Sequence, residues 1–429
     1  MANDKDFVVN GPVVVGKDTK VTVGTIASGA VDLSTGNYFT DSPSGDYTYT
    51  FTNPGDVQAF QIEATGGSAA VASTFSTDIY DGNGGTGQTI NNGIDLAGDG
   101  GLVWFKQRNA TRDNGLFDTV RGANKYVISN DTNIEASTTT MLTAFNSNGF
   151  TLGGGGGIVN NGSGTYVSWT FKKQAKFFDV VTYTGNQTVR TISHNLGSTP
   201  GTIIIKNLDQ SDGNATWQVW HRSLVDGSGN PEFVRLNTTD AKFSVGGSWF
   251  NDTLPTSTEF TLGTGLGTNW SGQNFVAYLF AHDTASDGLI QCGTFSGQPT
   301  SVNLGWKPQW LLCKRTDSTS NWVLLDNKRV TGGSEDYLYA NTTGADQTSF
   351  DLVDFTSTGF DVLSGLAGTQ IYMAIRSASA PAITWPSSIE WTGGSTPSTP
   401  AEGETDVYTF TTDDGGTTYT GIQSIDNAS

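Results

Sequence analysis

Apolar and polar residues alternate with a period of two along most of the chain, in runs of four to eight bounded by Gly, Asn, Asp and Pro. Between residues 47 and 52, Tyr47, Tyr49 and Phe51 fall on one face and Thr48, Thr50 and Thr52 on the other. Such runs predict half-buried strands joined by tight turns. Other runs are apolar on both faces, which predicts strands covered on both sides. The clearest of these end in lysine, and they recur three times: Gly101-Leu-Val-Trp-Phe-Lys106, Gly201-Thr-Ile-Ile-Ile-Lys206 and Gln309-Trp-Leu-Leu-Cys-Lys314.

Each copy continues with a Phe strand (Asn148-Gly-Phe-Thr-Leu152, Thr258-Glu-Phe-Thr-Leu262, Thr358-Gly-Phe-Asp-Val362) and a closing strand (Tyr166–Phe171, Phe275–Phe280, Tyr372–Arg376). The second and third copies share an opening, Val181–Gly185 and Gly293–Gly297. The first shows the Gly-rich Asp81–Gly87 in that place, so its first strand is expected to be irregular or recruited from elsewhere. Units of roughly 100 residues with turns this frequent predict β-sandwiches, jelly-roll-like or immunoglobulin-like. The boundaries fall at 79–175, 176–284 and 285–378.

Outside the repeats, residues 31–70 and 380–429 each hold too few strands to close a core alone. Together they predict one discontinuous sandwich base, with the repeats inserted near Gly66 and Pro381, since an exposed loop accepts a domain when its ends lie close. Thr65–Ala70 and Ser377–Pro381 have the composition of such junctions, and Asp413-Asp-Gly-Gly416 signals a hairpin. Residues 1–30 hold very short apolar strands. They predict an oligomerising or anchoring arm, either adding an edge to a neighbouring sheet or winding with two copies of itself; a plain N-terminal hairpin is the alternative. The fold class is therefore all-β, with three tandem sandwiches inserted into a split sandwich base behind a strand-forming arm.

Composition supports this class and narrows the function. Among 429 residues there are 55 glycines and only 15% are charged, fitting turn-rich β structure. The net charge of −19 opposes nucleic acid and anionic lipid, so no nucleic-acid partner and no membrane insertion are expected. The N-terminus lacks an apolar signal core. Cys292 and Cys313 are too few for a disulfide framework, and whether they pair stays open.

Four segments, Asp32–Phe39, Tyr49–Pro54, Ile383–Ser388 and Tyr408–Gly416, resemble consecutive strands of a small module in virion proteins of marine bacteriophages. In the repeats, Gly101–Lys106, Leu116-Phe-Asp-Thr-Val-Arg-Gly122, Asn148–Gly153 and Phe178–Gly185 are similar to a repeat of phage surface proteins. The resemblance covers roughly residues 30–420 and implies a structural protein of the tail-fibre type. It would be made in the host cytoplasm and displayed on the virion surface, with partners among other tail or capsid proteins, itself as a homo-oligomer, a trimer, and host surface polysaccharide. A capsid-decorating or cement protein is the alternative, and a polysaccharide depolymerase a further one.

Candidate chemistry is sparse. His194, His221 and His282 are scattered without metal-ligand spacing, no phosphate loop follows Gly153–Gly157, and acidic pairs at glycosidase distance arise by chance among 41 carboxylates. The chain is thus read as a non-enzyme without cofactor or metal. In the second copy Trp217, Trp220, His221, Trp249 and Trp270 form the candidate glycan-binding set, with core packing as the competing role. Asp118 with Arg121 and Asp326 with Arg329 are predicted structural ion pairs. Asn130-Asp-Thr-Asn133 is a candidate Ca²⁺ loop, with solvated turn residues as the plainer explanation.

Overall fold

In the computed structural model nearly every element is a strand, and the contacts divide the chain into two compact units, one of residues 1–69 with 379–429 and one of residues 70–378. The structure describes residues 23–24, 26–27, 30–41, 47–55, 58–65, 71–285, 287–331, 333–348, 350–377, 383–397 and 405–428. Most of the predicted arm, and the two junction segments apart from Thr65 and Ser377, lie outside these residues.

The first unit joins both ends of the chain in one six-stranded sheet. Gln58–Thr65 runs antiparallel to Thr405–Thr412, with Phe60 opposite Phe410 and Ile62 opposite Tyr408. Thr405–Thr412 alternates strictly between half-buried and buried positions, as expected of a strand with one face on a core. Phe60 and Phe410 stack at 5.1 Å, and Phe39, Tyr49, Trp385, Tyr408 and Tyr419 complete an interior to which neither end alone contributes enough. The last part of the predicted arm is drawn into this unit, where Val23–Gly24 pairs parallel with Tyr38–Asp41. Asp414 fixes the predicted hairpin by accepting from the Thr412 hydroxyl and the Thr417 and Thr418 amides, which hold its carboxyl down at about 2.

Within the second unit each repeat is a two-sheet sandwich. Its large sheet places the opening strand beside the closing strand, then the lysine strand, then two more, or three in the first repeat: Phe178–Thr184, Asn274–Ala281, Pro200–Asn207, Gln218–Val225 and Pro231–Arg235 in the second repeat. The third repeats this order with Ile290–Ser296, Thr369–Arg376, Pro308–Arg315, Trp322–Thr331 and Ser334–Tyr339. The first repeat also has a regular opening strand, contrary to the expectation from sequence. Phe75–Asp81 pairs along its whole length with Thr165–Lys172 and precedes the glycines, which serve as the turn that follows it.

A smaller sheet covers the outer face of each large one. Alternate residues of the lysine strands then divide between two interiors. Val103 and Phe105 enter the first repeat's own core, and Leu311 and Cys313 the third's. Leu102, Trp104, Ile204, Trp310 and Leu312 point the other way, into a cluster shared by all three repeats. This double burial explains the unbroken apolar runs of the lysine strands.

Candidate functional site

The period of two places Lys106, Lys206 and Lys314 on the same face as the shared cluster, and all three are fully buried. A buried ammonium must have its N–H groups met by acceptors. Each lysine donates to the carbonyl of its own next residue (Gln107, Asn207, Arg315) and to a threonine carbonyl of a neighbouring repeat. Lys206 reaches Thr132 of the first repeat, Lys314 reaches Thr239 of the second, and Lys106 reaches Thr343 of the third. Lys106 and Lys206 gain a third carbonyl from Arg112 and Ala215. Burial still pulls all three ammonium groups down to about 8.

The three threonines close equivalent Asn-x-Thr segments, one from each repeat: Asn130-Asp-Thr132, Asn237-Thr-Thr239 and Asn341-Thr-Thr343. The Asn side-chain oxygen accepts the backbone N–H of Asn114, Trp217 or Trp322 in its own repeat. The side chains of those residues reach back across the seam. Trp217 Nε1 donates to the Ile128 and Asp131 carbonyls, Trp322 Nε1 to the Arg235 carbonyl, and Asn114 Nδ2 to the Thr342 carbonyl. The candidate Ca²⁺ loop Asn130–Asn133 thus serves as an inter-repeat latch, its carbonyls turned to Lys206 and Trp217. Asp131 accepts from the Thr132 amide and the Asn133 side chain.

A second set of contacts runs the other way around the cycle. Asp118 accepts from the Tyr278 hydroxyl of the second repeat, His221 Nε2 lies 3.0 Å from the Tyr372 carbonyl of the third, and Asp326 accepts from Trp169 Nε1 of the first. Register makes Asp118, His221 and Asp326 equivalent, opposite Leu102, Thr202 and Trp310. The predicted pairs Asp118–Arg121 and Asp326–Arg329 both form and are buried. Arg329 also bonds Asp346, to which Arg108 of the first repeat donates at 2.6 Å. Backbone bonds cross every seam as well: Glu135 N–H to Leu208, Lys242 N–H to Thr316, and Arg112 N–H to Thr343. The contacts therefore close a cycle in which the first repeat touches the third as it touches the second, a head-to-tail arrangement that closes rather than propagates.

The candidate glycan set is not brought to a surface. Trp217, Trp220, His221 and Trp249 are buried, and Trp270 packs partly buried against the same core. A ring stacks on a sugar only if one face is open to it, so these four residues are corrected to structural roles. Cys292 and Cys313 are free thiols facing the shared cluster and the third repeat's own core, opposite sides of one sheet, which precludes a bridge. Among the described residues, Glu335, Asp351 and Asp354 are the one group whose carboxylate oxygens lie within 4.8 Å of one another, and burial with mutual repulsion raises Glu335 and Asp354. No helix among those residues is long and apolar enough to cross a membrane.

The fold and its seams define a class of multi-sandwich β proteins in which three repeats act as one body. Residues 71–378 match the family model described as a domain of unknown function, DUF7483, and the chain belongs to that family. The matched segment coincides with the second compact unit, so the family's unit is the closed set of three repeats rather than one sandwich. No curated protein matches the chain.

Proposed function

We propose that the chain is a structural protein of the bacteriophage virion surface, of the tail-fibre or adhesin type. The observation that carries this is the closed cycle of three sandwiches. Buried lysines, tryptophans and ion pairs fix their mutual positions, which suits a part that presents a stiff surface rather than one that opens around a substrate. The likeness of the strand segments to phage surface modules supplies the setting. Inserted in the chain between the two segments of a second unit with its own core, the three-repeat unit is displayed while the split unit and the residues before it attach to the particle, as a trimer through the residues ahead of Val23. Contacts with host polysaccharide then fall to exposed loops of the repeats, because the tryptophans of the second repeat are committed to the core. Multivalent display lets weak contacts sum to firm attachment.

Labelling the protein on intact particles tests this. A handful to a few dozen copies at the tail is the expected result. Hundreds of copies over the shell would instead establish the capsid-decorating role, and absence from the particle would remove both.

A further inference from the structure

Three seams close the cycle, and one differs in its chemistry. At the position where the first and third repeats carry an aspartate paired with arginine, the second repeat carries His221, and Leu224 stands in place of the arginine. His221 Nδ1 accepts the Ser223 N–H at 3.1 Å, so the proton resides on Nε2, which donates to the Tyr372 carbonyl of the third repeat. A second histidine lies at the same seam. His282, just after the closing strand of the second repeat, accepts the Cys292 N–H of the third at Nδ1, 3.0 Å away. Each contact needs an unprotonated Nδ1, because a proton there would face a backbone N–H.

We propose that the seam between the second and third repeats is an acid-opened joint, held shut by two neutral histidines while the other two seams are held by aspartate–arginine pairs. The charged and titratable groups around the two rings are few. Arg222, adjacent to His221, opposes protonation of both rings, and His282 opposes that of His221; Asp283 favours it at His282 only; the Cys292 thiol, in the shared cluster, and the Tyr372 hydroxyl, whose ring packs in the third repeat's own core, stay neutral through the acid range. Burial is the larger cause, taking His221 down to about 3 and His282 to about 4 from an ordinary 6.5.

The sign follows from linkage. Both groups bind protons more weakly in the closed state, so closure is favoured fully above about pH 6.5 and progressively lost as pH falls towards 3. At pH 5 each histidine shifts the opening equilibrium about 30-fold, and the two together on the order of 1000-fold.

Cys292 is a native reporter. Its thiol is buried at this seam beside the Thr202 hydroxyl and the Ala281 carbonyl, whereas Cys313 lies within the third repeat's own core. Labelling of the full chain by a dipyridyl disulfide, which reacts at acid pH, is followed at both cysteines at pH 7.5 and pH 5, each rate divided by that of a small thiol at the same pH. Cys292 is expected to gain about 100- to 1000-fold in relative rate, with Cys313 little changed. In the double variant His221→Gln, His282→Asn, which keeps a donor for the Tyr372 carbonyl and an acceptor for the Cys292 N–H without a titrating ring, that gain is expected to vanish. Should this variant not fold, amide exchange at Cys292 in the native chain gives the same comparison. Protection of Cys292 at pH 5, parallel acceleration of both cysteines, or persistence of the gain in the double variant would each overturn the proposal.

Discussion

Replacing Lys206 by methionine tests whether the buried lysines hold the cycle together or merely survive in it. The ammonium donates to the carbonyls of Thr132, Asn207 and Ala215 at 3.1, 2.6 and 3.0 Å, matching its three protons. Methionine fills nearly the same volume, so the loss is of polar partners rather than of packing. Three carbonyls left without a donor cost about 1–3 kcal/mol each. Against this stands the burial of the charge. A group lowered from 10.5 to about 8 carries a penalty of roughly 3 kcal/mol at about 1.4 kcal/mol per pH unit, and the substitution relieves it. At a mid-range cost of about 2 kcal/mol per carbonyl, the difference predicts a net destabilisation of about 3 kcal/mol for the Lys206→Met variant. Denaturant titration of the full chain, followed by tryptophan fluorescence, reads this as a lower midpoint for the three-repeat transition at unchanged slope. Lys206→Arg should not restore it, since a planar fork cannot direct three N–H groups at carbonyls arranged around a point. An unchanged or raised midpoint for Lys206→Met would mean that the lysine is a net burden, as some buried charges are, and would refute its role as a staple.

Other consequences follow from the same contacts. Asp326→Ala leaves Arg329 buried with Asp346 alone and Trp169 Nε1 without its acceptor, and should cost about 3–5 kcal/mol in the same titration. Trp217→Phe keeps the ring but loses two carbonyl bonds. It should lower stability by roughly 1–3 kcal/mol and leave any binding to host polysaccharide, measured on the folded variant, unaltered. In the split unit, Phe60→Ala removes the partner of Phe410 and should destabilise that unit by about 3–5 kcal/mol in thermal unfolding. Neither cysteine should react with iodoacetamide in the native chain at neutral pH, because burial pushes the Cys292 thiol up to about 12 and that of Cys313 higher still.

The fold class was legible because strand alternation is a local signal, plain in Tyr49 and Phe51 or in Tyr408 and Phe410. The joining of the two ends was legible for a different reason: each end was too small to bury its own aromatics. The opening strand of the first repeat carries the same aromatic-x-Gly ending as the others, Tyr80-Asp-Gly82 beside Tyr183-Thr-Gly185 and Phe295-Ser-Gly297, but the polar Ser76, Thr77 and Asp78 and the glycine run that follows mask it in the sequence. Tryptophans in the second repeat misled because composition does not say which way a side chain faces; the sheet is covered on both faces, so Trp217, in phase with Ile204, and Trp220, in phase with Ile203, are both inside.

The seams were hidden for a deeper reason. A hydrogen bond from Lys106 to Thr343 joins residues more than 230 apart, and the accepting group is a backbone carbonyl that every residue carries. Two signals were nonetheless present. One is a lysine kept in phase with Leu102 and Trp104 in a strand otherwise apolar on both faces. The other is an Asn-x-Thr segment at the equivalent place in every repeat, where the next repeat docks, although the same three-residue form also occurs elsewhere, as at Asn109-Ala-Thr111 and Asn186-Gln-Thr188.

Closure of the cycle is tested most directly at the seam between the first and third repeats, where backbone bonds join Arg112 to Thr343 and Asp346 to Arg108. Amide hydrogen exchange of the intact chain at neutral pH should show Arg112 and Asp346 protected to the same degree as Glu135 and Lys242, which cross the other two seams. Exchange of Arg112 and Asp346 at the rate of open loops, with Glu135 and Lys242 still protected, would mean that the repeats form an open row and that the cycle does not exist.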